Sequence, residues 1–127
     1  MGAWIIAKGR LEIEPKPDKM LISDFNRFVE ETCPPAYFSE KLENPWFFDE
    51  NNNLISCEGQ FGEPCVWYYH LKDNFFRLWG YILKGDPELI SAMDEDYKET
   101  CRERNKEYKK WLKRKDDYNT YSPRYYG

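Results

Sequence analysis

Residues that interrupt regular backbone structure divide this chain of 127 residues into short segments. Proline cannot donate a hydrogen bond to a strand ladder, and the residue before a proline is pushed out of the helical conformation. Asparagine, aspartate and glycine favour turns because they tolerate left-handed backbone. These residues cluster at Pro15 to Pro17, Pro34-Pro35, residues 49–53, Gly59 to Gly62, and Asp86-Pro87. We therefore expect short helices and strands before residue 87, packed into one domain, as is usual for a chain of this length.

Four stretches have the composition or the apolar pattern of β-strands. Residues 4–14 alternate apolar and polar side chains, as expected for a strand with one buried face. Residues 46–48 and 54–58 flank the turn that is rich in Asp and Asn, which predicts a β-hairpin. Residues 79–83 are rich in aromatic and β-branched side chains and predict a further strand.

Three other stretches have helical spacing. Apolar residues recur at three- and four-residue steps over residues 18–33, where Asp18 is the expected N-cap, and over residues 64–75, which begin with a proline. Asp86-Pro87 combines an N-cap residue with proline at the first helical position. The apolar steps that follow predict a long helix over residues 87–115.

The predicted order is strand, helix, strand, strand, helix, strand and a final long helix. This is the order of a ferredoxin-like βαββαβ fold, in which two helices cover one face of an antiparallel sheet. We therefore expect an α+β fold with one domain over residues 1–115, including the added C-terminal helix 87–115. A flexible, tyrosine-rich tail is expected over residues 116–127.

Charge is distributed unevenly along the chain. Residues 1–100 contain 10 Lys/Arg against 19 Asp/Glu, a net charge of −9, whereas residues 101–127 contain 9 against 4, a net charge of +5. An acidic body joined to a basic, aromatic C-terminal part favours interaction with charged partners.

The residue pattern is not typical of catalysis or of metal binding. The four cysteines form no C-x-x-C pair, and the single histidine cannot complete a usual zinc set. Cys65 and His70 are the one pairing of a nucleophile with a base, and their five-residue spacing on a helix places them on different faces. The sequence therefore predicts free, mostly buried thiols, a half-buried His70, no metal and no cofactor, and a protein that is not an enzyme.

Residues 67–85 combine an aromatic helix that ends in Phe75-Phe76 with a strand of the form G-Y-x-L-x-G over residues 80–85. Together with the opening strand, which has the form G-x-L-x-I over residues 9–13, this segment resembles small, uncharacterised proteins of phages and mobile elements. The resemblance implies an origin of that kind and assigns no active site. Those proteins continue into another strand after the second glycine, whereas here a charged helix is expected from residue 87.

Two sets of residues that include carboxylates are candidates for contact with a partner. One set lies early in the last predicted helix, where carboxylates also complement the helix dipole as ordinary solvated groups. The other set lies at the hairpin, where an aromatic residue is expected either in the core or as an anchor for a partner. The candidates are Asp94, Glu95, Asp96 and Glu99 in the first set, and Trp46, Asp49 and Glu50 in the second.

The basic, aromatic C-terminal part supplies a third set of candidates. Cations near a helix C-terminus have a structural role, and cations interleaved with aromatic rings also suit single-stranded nucleic acid. The candidates are Lys109, Lys110, Trp111, Lys113, Arg114, Tyr118 and Tyr121. The acidic body would repel a polyanion, and the apolar seam of the helix offers a second use, a homodimer in which Trp111 is the central residue.

These features favour a non-catalytic, protein-binding inhibitor of phage type. Its acidic surface would occupy the basic channel of a host nuclease that handles nucleic acid, and an anti-CRISPR protein is the most specific form of this hypothesis. The alternative is a small nucleic-acid-binding module that uses the basic tail. No apolar run approaches the roughly 20 residues that cross a bilayer, so we expect no membrane contact and a cytoplasmic location, in the host cytosol if the chain is phage-encoded.

Overall fold

The computed structural model describes residues 5–34, 42–57 and 64–121. The helices and strands in these ranges are β1 (Ile5–Lys8), β2 (Glu12–Glu14), α1 (Lys19–Glu31), β3 (Trp46–Phe48), β4 (Leu54–Ser56), α2 (Pro64–Leu71), β5 (Ile82–Lys84), β6 (Glu88–Ser91) and α3 (Tyr97–Tyr118). A π-helical turn (Lys72–Phe76) and a 3-10 turn (Arg77–Trp79) extend α2. Within the described ranges, no helix is both long enough and apolar enough to span a membrane.

The strands pair two by two in antiparallel ladders, which confirms the α+β class. β1 pairs with β6, β2 with β5, and β3 with β4. Leu11 and Leu54 connect two of these ladders, since each backbone N–H donates to the other residue's carbonyl at 2.9 and 2.8 Å. The described strands do not join into one four-stranded sheet, so the ferredoxin-like order is not confirmed.

The predicted first strand, residues 4–14, is divided into β1 and β2. Gly9 has a φ of +94°, a conformation that interrupts a strand and that side chains with a Cβ rarely adopt. The pattern of burial differs on the two sides of the bend. Before the bend, the neighbours Ile6 and Ala7 are both buried, whereas after it the buried residues Leu11 and Ile13 alternate with exposed ones. The bend allows one stretch of chain to pair with two different strands, β6 and β5.

Helix α1 and the hairpin agree with the sequence patterns. The Asp18 side chain accepts a hydrogen bond from the Leu21 N–H at 2.8 Å, which confirms the expected N-cap. The hairpin strands β3 and β4 bury every side chain, and Phe25 of α1 packs edge-on against Phe48 with ring centroids 4.7 Å apart. The apolar stripe of α1 therefore covers the hairpin.

The second helix changes its winding where the paired phenylalanines occur. It is α-helical to Leu71, and the π-helical turn that follows places both Phe75 and Phe76 in the core. Gly80, at a φ of +82°, ends the helical segment, and the Tyr81 N–H donates back to the Phe76 carbonyl at 2.8 Å. The strand expected over residues 79–83 begins only after this cap.

The prediction of one helix over residues 87–115 is wrong at both ends. Residues 88–91 form β6, where Ile90 lies opposite Ile6, and α3 begins only at Tyr97. These buried residues, with Cys101 of α3, make a small second core, and its apolar contacts favour the strand over the helix that Asp86-Pro87 indicated.

The C-terminal boundary also lies later than the sequence indicated. Helix α3 continues through residues 116–118, which were expected in the flexible tail, and it ends at Tyr118. Beyond the helix, the Ser23 hydroxyl of α1 donates to the Tyr121 carbonyl at 3.0 Å. The remainder of the expected tail, residues 122–127, lies outside the described residues.

Candidate functional site

Asp49 holds the turn between β3 and β4. One carboxylate oxygen, Oδ1, accepts hydrogen bonds from the backbone N–H groups of Asn51 and Asn53, each at 2.9 Å. The other oxygen, Oδ2, lies 2.7 Å from Arg10 Nη1, and the side chain is only 5% exposed. Asp49 was a candidate for partner contact, and both of its oxygens bond within the fold instead. Its role in the structure is to fix the turn.

Arg10 links that turn to helix α3. Its second nitrogen, Nη2, lies 2.6 Å from Glu107 Oε1, and the hydrogen bond to Glu107 raises the pKa of the guanidinium above its usual value. Glu107 also lies 3.5 Å from Arg104, whose guanidinium donates to the Gly9 carbonyl at 3.1 Å. Two arginines therefore share one carboxylate at the bend between β1 and β2.

Arg104 is the buried member of this network. Burial lowers the pKa of its guanidinium, and its Nε has no hydrogen-bond partner within the described residues. The side chain interrupts the apolar seam of α3, and the bond to Gly9 explains why a charge is accepted there. Sequence patterns gave no signal for the network of Arg10, Arg104 and Glu107, because the bonds that join it to the rest of the fold span about 40 to 100 residues of the chain.

The basic half of α3 makes further contacts with the hairpin. Lys110 Nζ lies 3.4 Å from a carboxylate oxygen of Glu50, and Arg114 Nη2 donates to the Phe48 carbonyl at 2.6 Å. The Arg114 guanidinium also lies over the Trp111 ring, 5.4 Å from its centroid. Two candidate sets, the acidic hairpin and the basic helix, thus contact each other and neutralise part of each other's charge.

The aromatic candidates are mostly part of the core. Trp46 is buried, and Trp111 is 4% exposed and packs against Phe48 and Tyr118, with ring centroids 5.8 and 6.1 Å apart. Tyr121 remains partly exposed, and Lys19 lies 5.6 Å from its ring centroid. Nucleic-acid bases stack on aromatic ring faces that are free of other contacts, so these contacts leave little ring surface for a base. The apolar seam offered a possible homodimer, and in the structure its residues Tyr108 and Trp111 contact Phe47 and Phe48 of the chain's own hairpin instead.

Three of the basic candidates, Lys109, Lys110 and Lys113, stay at the surface. No ion pair within the described residues includes Lys109 or Lys113. They are the part of the C-terminal set that remains accessible to a polyanion.

The first acidic set does not lie in one helix. Asp94, Glu95 and Asp96 form the turn before α3, and only Glu99 is in its first turn. Asp94 Oδ2 accepts the Ser91 N–H at 3.2 Å, and the Ser91 carbonyl accepts the Asp94 N–H at 3.0 Å. These bonds fix the turn at the end of β6.

We define the acidic segment as residues 86–99, which contain six Asp/Glu and one Lys. All seven of these charged side chains are exposed, and none takes part in an ion pair within the described part of the chain. Met93, at 92% exposure, projects from the middle of the segment. The acidic segment is thus a surface whose charge the described structure leaves uncompensated.

His70 is buried in a complete hydrogen-bond chain. Asn74 Nδ2 lies 3.2 Å from Nδ1, and Nε2 lies 3.1 Å from the Thr32 hydroxyl, which donates to the Phe28 carbonyl at 2.7 Å. The neutral ring with its proton on Nε2 satisfies every bond. Burial lowers the pKa of His70, which favours that neutral form. The histidine therefore has partners typical of a structural residue, since in this tautomer the Thr32 hydroxyl accepts from Nε2 and gives its own proton to a backbone carbonyl.

Within the described residues, no three or more His, Cys, Asp or Glu side chains converge in a way that could hold a metal ion. A scan against protein-family models, a search of curated proteins and a search of solved structures each find no match for the chain. The arrangement of its own side chains is therefore the basis for a functional proposal.

Proposed function

We propose that this chain is a non-catalytic protein that binds and inhibits a nucleic-acid-handling enzyme through its acidic segment. The observation that carries the proposal is the contrast between two acidic surfaces. The carboxylates of the hairpin bond to Arg10 and Lys110, whereas those of residues 86–99 are exposed and form no ion pair with any residue that the structure describes. Charge left uncompensated at a surface is available to a partner of opposite charge.

A basic nucleic-acid channel fits this surface better than a neutral protein does. Clustered carboxylates present negative charge of the same sign as phosphates, and they raise the rate of encounter with a basic cleft. The exposed Met93 adds an apolar side chain at the centre of the charged turn, where it can be desolvated on binding. An anti-CRISPR protein of phage type, acting in the cytosol of the host, is the most specific form of this proposal.

The geometry narrows the candidate residues. Asp94, Glu95, Asp96 and Glu99 stay as candidates for the partner surface, and Glu88 joins them because it is exposed on β6. The hairpin candidates Trp46, Asp49 and Glu50 are left out, since their side chains pack or pair within the fold.

The experiment is an inhibition assay against a panel of basic nucleases that includes CRISPR effectors. The test variant carries Glu95→Gln, Asp96→Asn and Glu99→Gln, and it spares Asp94 because that carboxylate holds the turn. The matched control removes three exposed carboxylates elsewhere, with Glu31→Gln, Asp73→Asn and Asp117→Asn. We expect the test variant to lose inhibition and the control to keep it.

Salt dependence supplies a second measurement. Contacts between exposed charges are screened over about 8 Å at physiological ionic strength and over about 3 Å at 1 M. Binding to the inhibited nuclease should therefore weaken steeply between low and high salt. Inhibition that ignores salt, or equal inhibition by both triple variants, would overturn the proposal.

The same panel tests the alternative of direct nucleic-acid binding. Lys109 and Lys113 are its accessible residues. If a single-stranded oligonucleotide binds the wild-type chain and Lys109→Gln with Lys113→Gln abolishes that binding, the basic helix and not the acidic segment is the functional surface.

A further inference from the structure

A cavity of about 420 Å³ lies between α1, the segment 42–46 and α3, and the proposed function makes no use of it. Its volume falls within the range of about 300–1,000 Å³ that is typical of small-molecule sites. The described residues that line it include Phe25, Asn26, Glu43, Trp46, Trp111 and Lys115.

The inner wall of the cavity is apolar and held rigidly. Phe25, Trp46, Cys57 and Trp111 are all buried and belong to the main core. The Trp46 indole N–H is already bonded, because it donates to the Pro64 carbonyl at 2.9 Å. A wall of this kind offers dispersion contacts to a flat apolar group and no competing hydrogen bond.

Asn26 supplies a fixed acceptor at the cavity. Its side chain is 6% exposed, and its Nδ2 donates to the Lys115 carbonyl at 3.2 Å and to Asn119 Oδ1 at 2.8 Å. Because both donors of the amide are used, one on α3 and one on the residue that follows it, the orientation of the amide is determined. The amide oxygen, Oδ1, has no partner among the described residues. A ligand that donates a hydrogen bond would satisfy this oxygen.

Among the described residues that line the cavity, two carry carboxylates, Glu30 and Glu43, and one carries a cationic group, Lys115. Burial raises the pKa of the Tyr108 phenol, and Cys57 and Glu43 add to that effect, so Glu43 lies close enough to act on the phenol. The described lining of the cavity therefore combines an apolar wall, an amide oxygen of fixed orientation and more carboxylates than cations.

We propose that this cavity binds a small organic cation with a planar aromatic body and an amidinium or amine group. The ring would lie against Trp46 and Trp111, and the cationic group would donate to Asn26 Oδ1 and to the carboxylates of Glu30 and Glu43. An anion of the same shape would meet two carboxylates, and a neutral molecule would forgo the charge-assisted bonds. The site is independent of the acidic segment 86–99.

Three probes of nearly equal size and shape test the charge requirement. Benzamidine is a cation, benzamide is neutral and benzoate is an anion, and each is titrated into the full chain by isothermal calorimetry and by NMR. We expect benzamidine to bind about tenfold more tightly than benzamide, as charge-assisted hydrogen bonds imply, and benzoate not to bind. Equal affinity for all three probes, or no binding of benzamidine at tens of millimolar, would overturn the proposal.

Variants locate the binding. Glu43→Gln should weaken benzamidine severalfold, whereas Glu99→Gln, an equal change of charge on the acidic segment, should leave its affinity unchanged. Val29→Phe adds bulk at the half-buried wall and should abolish binding while the circular dichroism spectrum stays native. Undiminished binding to Val29→Phe would place the ligand elsewhere and refute the assignment. None of these results depends on nuclease inhibition, so this proposal and the proposed function can fail separately.

Discussion

Arg10 and Glu107 lie 97 residues apart in the sequence and form a salt bridge of 2.6 Å. The same guanidinium pairs with the buried carboxylate of Asp49, so one side chain connects the β1–β2 bend, the hairpin turn and α3. This relationship explains why the acidic body and the basic C-terminal part do not act as two separate surfaces. Lys110 of the basic part pairs with Glu50 of the body, whereas the six carboxylates of residues 86–99 are exposed and form no ion pair within the described residues.

Arg10→Ala should destabilise the fold by about 1–2 kcal/mol, because it leaves Asp49 buried without its cation and removes the link to α3. The estimate is kept low because the Arg10 side chain is 43% exposed and solvent screens its charge. The measurement is urea unfolding followed by tryptophan fluorescence.

The control for Arg10 is Lys84→Ala. Lys84 pairs with Glu14 at 3.3 Å, and both of these side chains are at least half exposed, so its loss should change the free energy of unfolding by less than about 0.5 kcal/mol. Equal destabilisation by the two variants would show that the Arg10 network adds nothing beyond a surface ion pair.

Asp94 protects the outer edge of β6. The Ala7 N–H donates to the Ser56 hydroxyl at 3.0 Å and so points away from β6, which makes Ala7 and Leu89 a pair without mutual hydrogen bonds. Backbone groups two residues apart in a strand point the same way, so the N–H and C=O of Ser91 also point away from β1. The Asp94 side chain accepts from that N–H, and the Asp94 backbone N–H donates to that C=O. Edge groups that are bonded in this way cannot recruit another strand.

Asp94→Ala should expose that edge. We expect the Ser91 amide to exchange its hydrogen faster, and the chain to lose about 0.5–1 kcal/mol of stability, as for the loss of a side-chain cap. Hydrogen exchange measured by NMR detects the first effect. Glu95→Ala removes a neighbouring exposed carboxylate and should leave the Ser91 amide unchanged, and if both variants behave alike, Asp94 has no capping role.

Local patterns predicted the elements whose contacts are local. The N-cap at Asp18 and the hairpin around residues 49–53 were readable because their hydrogen bonds join residues three or four positions apart. The division of the first strand at Gly9 and the strand β6 were not readable, since both depend on pairing between β1 and residues 80 to 86 positions away. In residues 88–91 the local helix-start signal at Asp86-Pro87 conflicted with that pairing, and the tertiary contact determined the structure.

The candidate site divides in the same way. The sequence made the acidic residues 94–96 and 99 candidates for contact with a partner, and the structure leaves their side chains exposed. It could not distinguish them from Asp49 and Glu50, because the cations that neutralise the latter, Arg10 and Lys110, are near only after folding. Composition therefore gives the amount of charge, and tertiary structure decides which part is available.

His70 makes stability depend on pH in a defined direction. Burial lowers its pKa, so the unfolded chain binds a proton more readily than the folded chain does. The stability that the neutral ring contributes is fully present above the unfolded value of about 6.5, and it is lost as the pH falls through the lower folded pKa.

The test compares wild type with His70→Gln by urea unfolding between pH 7.5 and about pH 5, across the usual histidine range. His70 is the single histidine of the chain, so the variant removes all histidine-linked pH dependence while the carboxylates titrate in both proteins. Wild type should lose more stability on acidification than the variant does. A steeper loss in the variant would mean that protonated His70 is favoured by the fold.

Trp111 should behave as a core residue and not as a binding residue. It is 4% exposed and packs against Phe48 and Tyr118, so Trp111→Ala should cost about 3–5 kcal/mol, with a smaller loss for Trp111→Phe. Leu112, the next residue, is 41% exposed, and Leu112→Ala should cost less than about 1 kcal/mol.

Thermal unfolding measures these losses, and sedimentation measures the mass of each variant. If α3 instead formed a dimer through its seam, Trp111→Phe would shift the mass from dimer to monomer and its melting temperature would depend on protein concentration. We expect Trp111→Phe to melt at a lower temperature that is independent of concentration, with a mass equal to that of wild type. That result follows from the position of Trp111 against the hairpin, where its own chain already covers the ring.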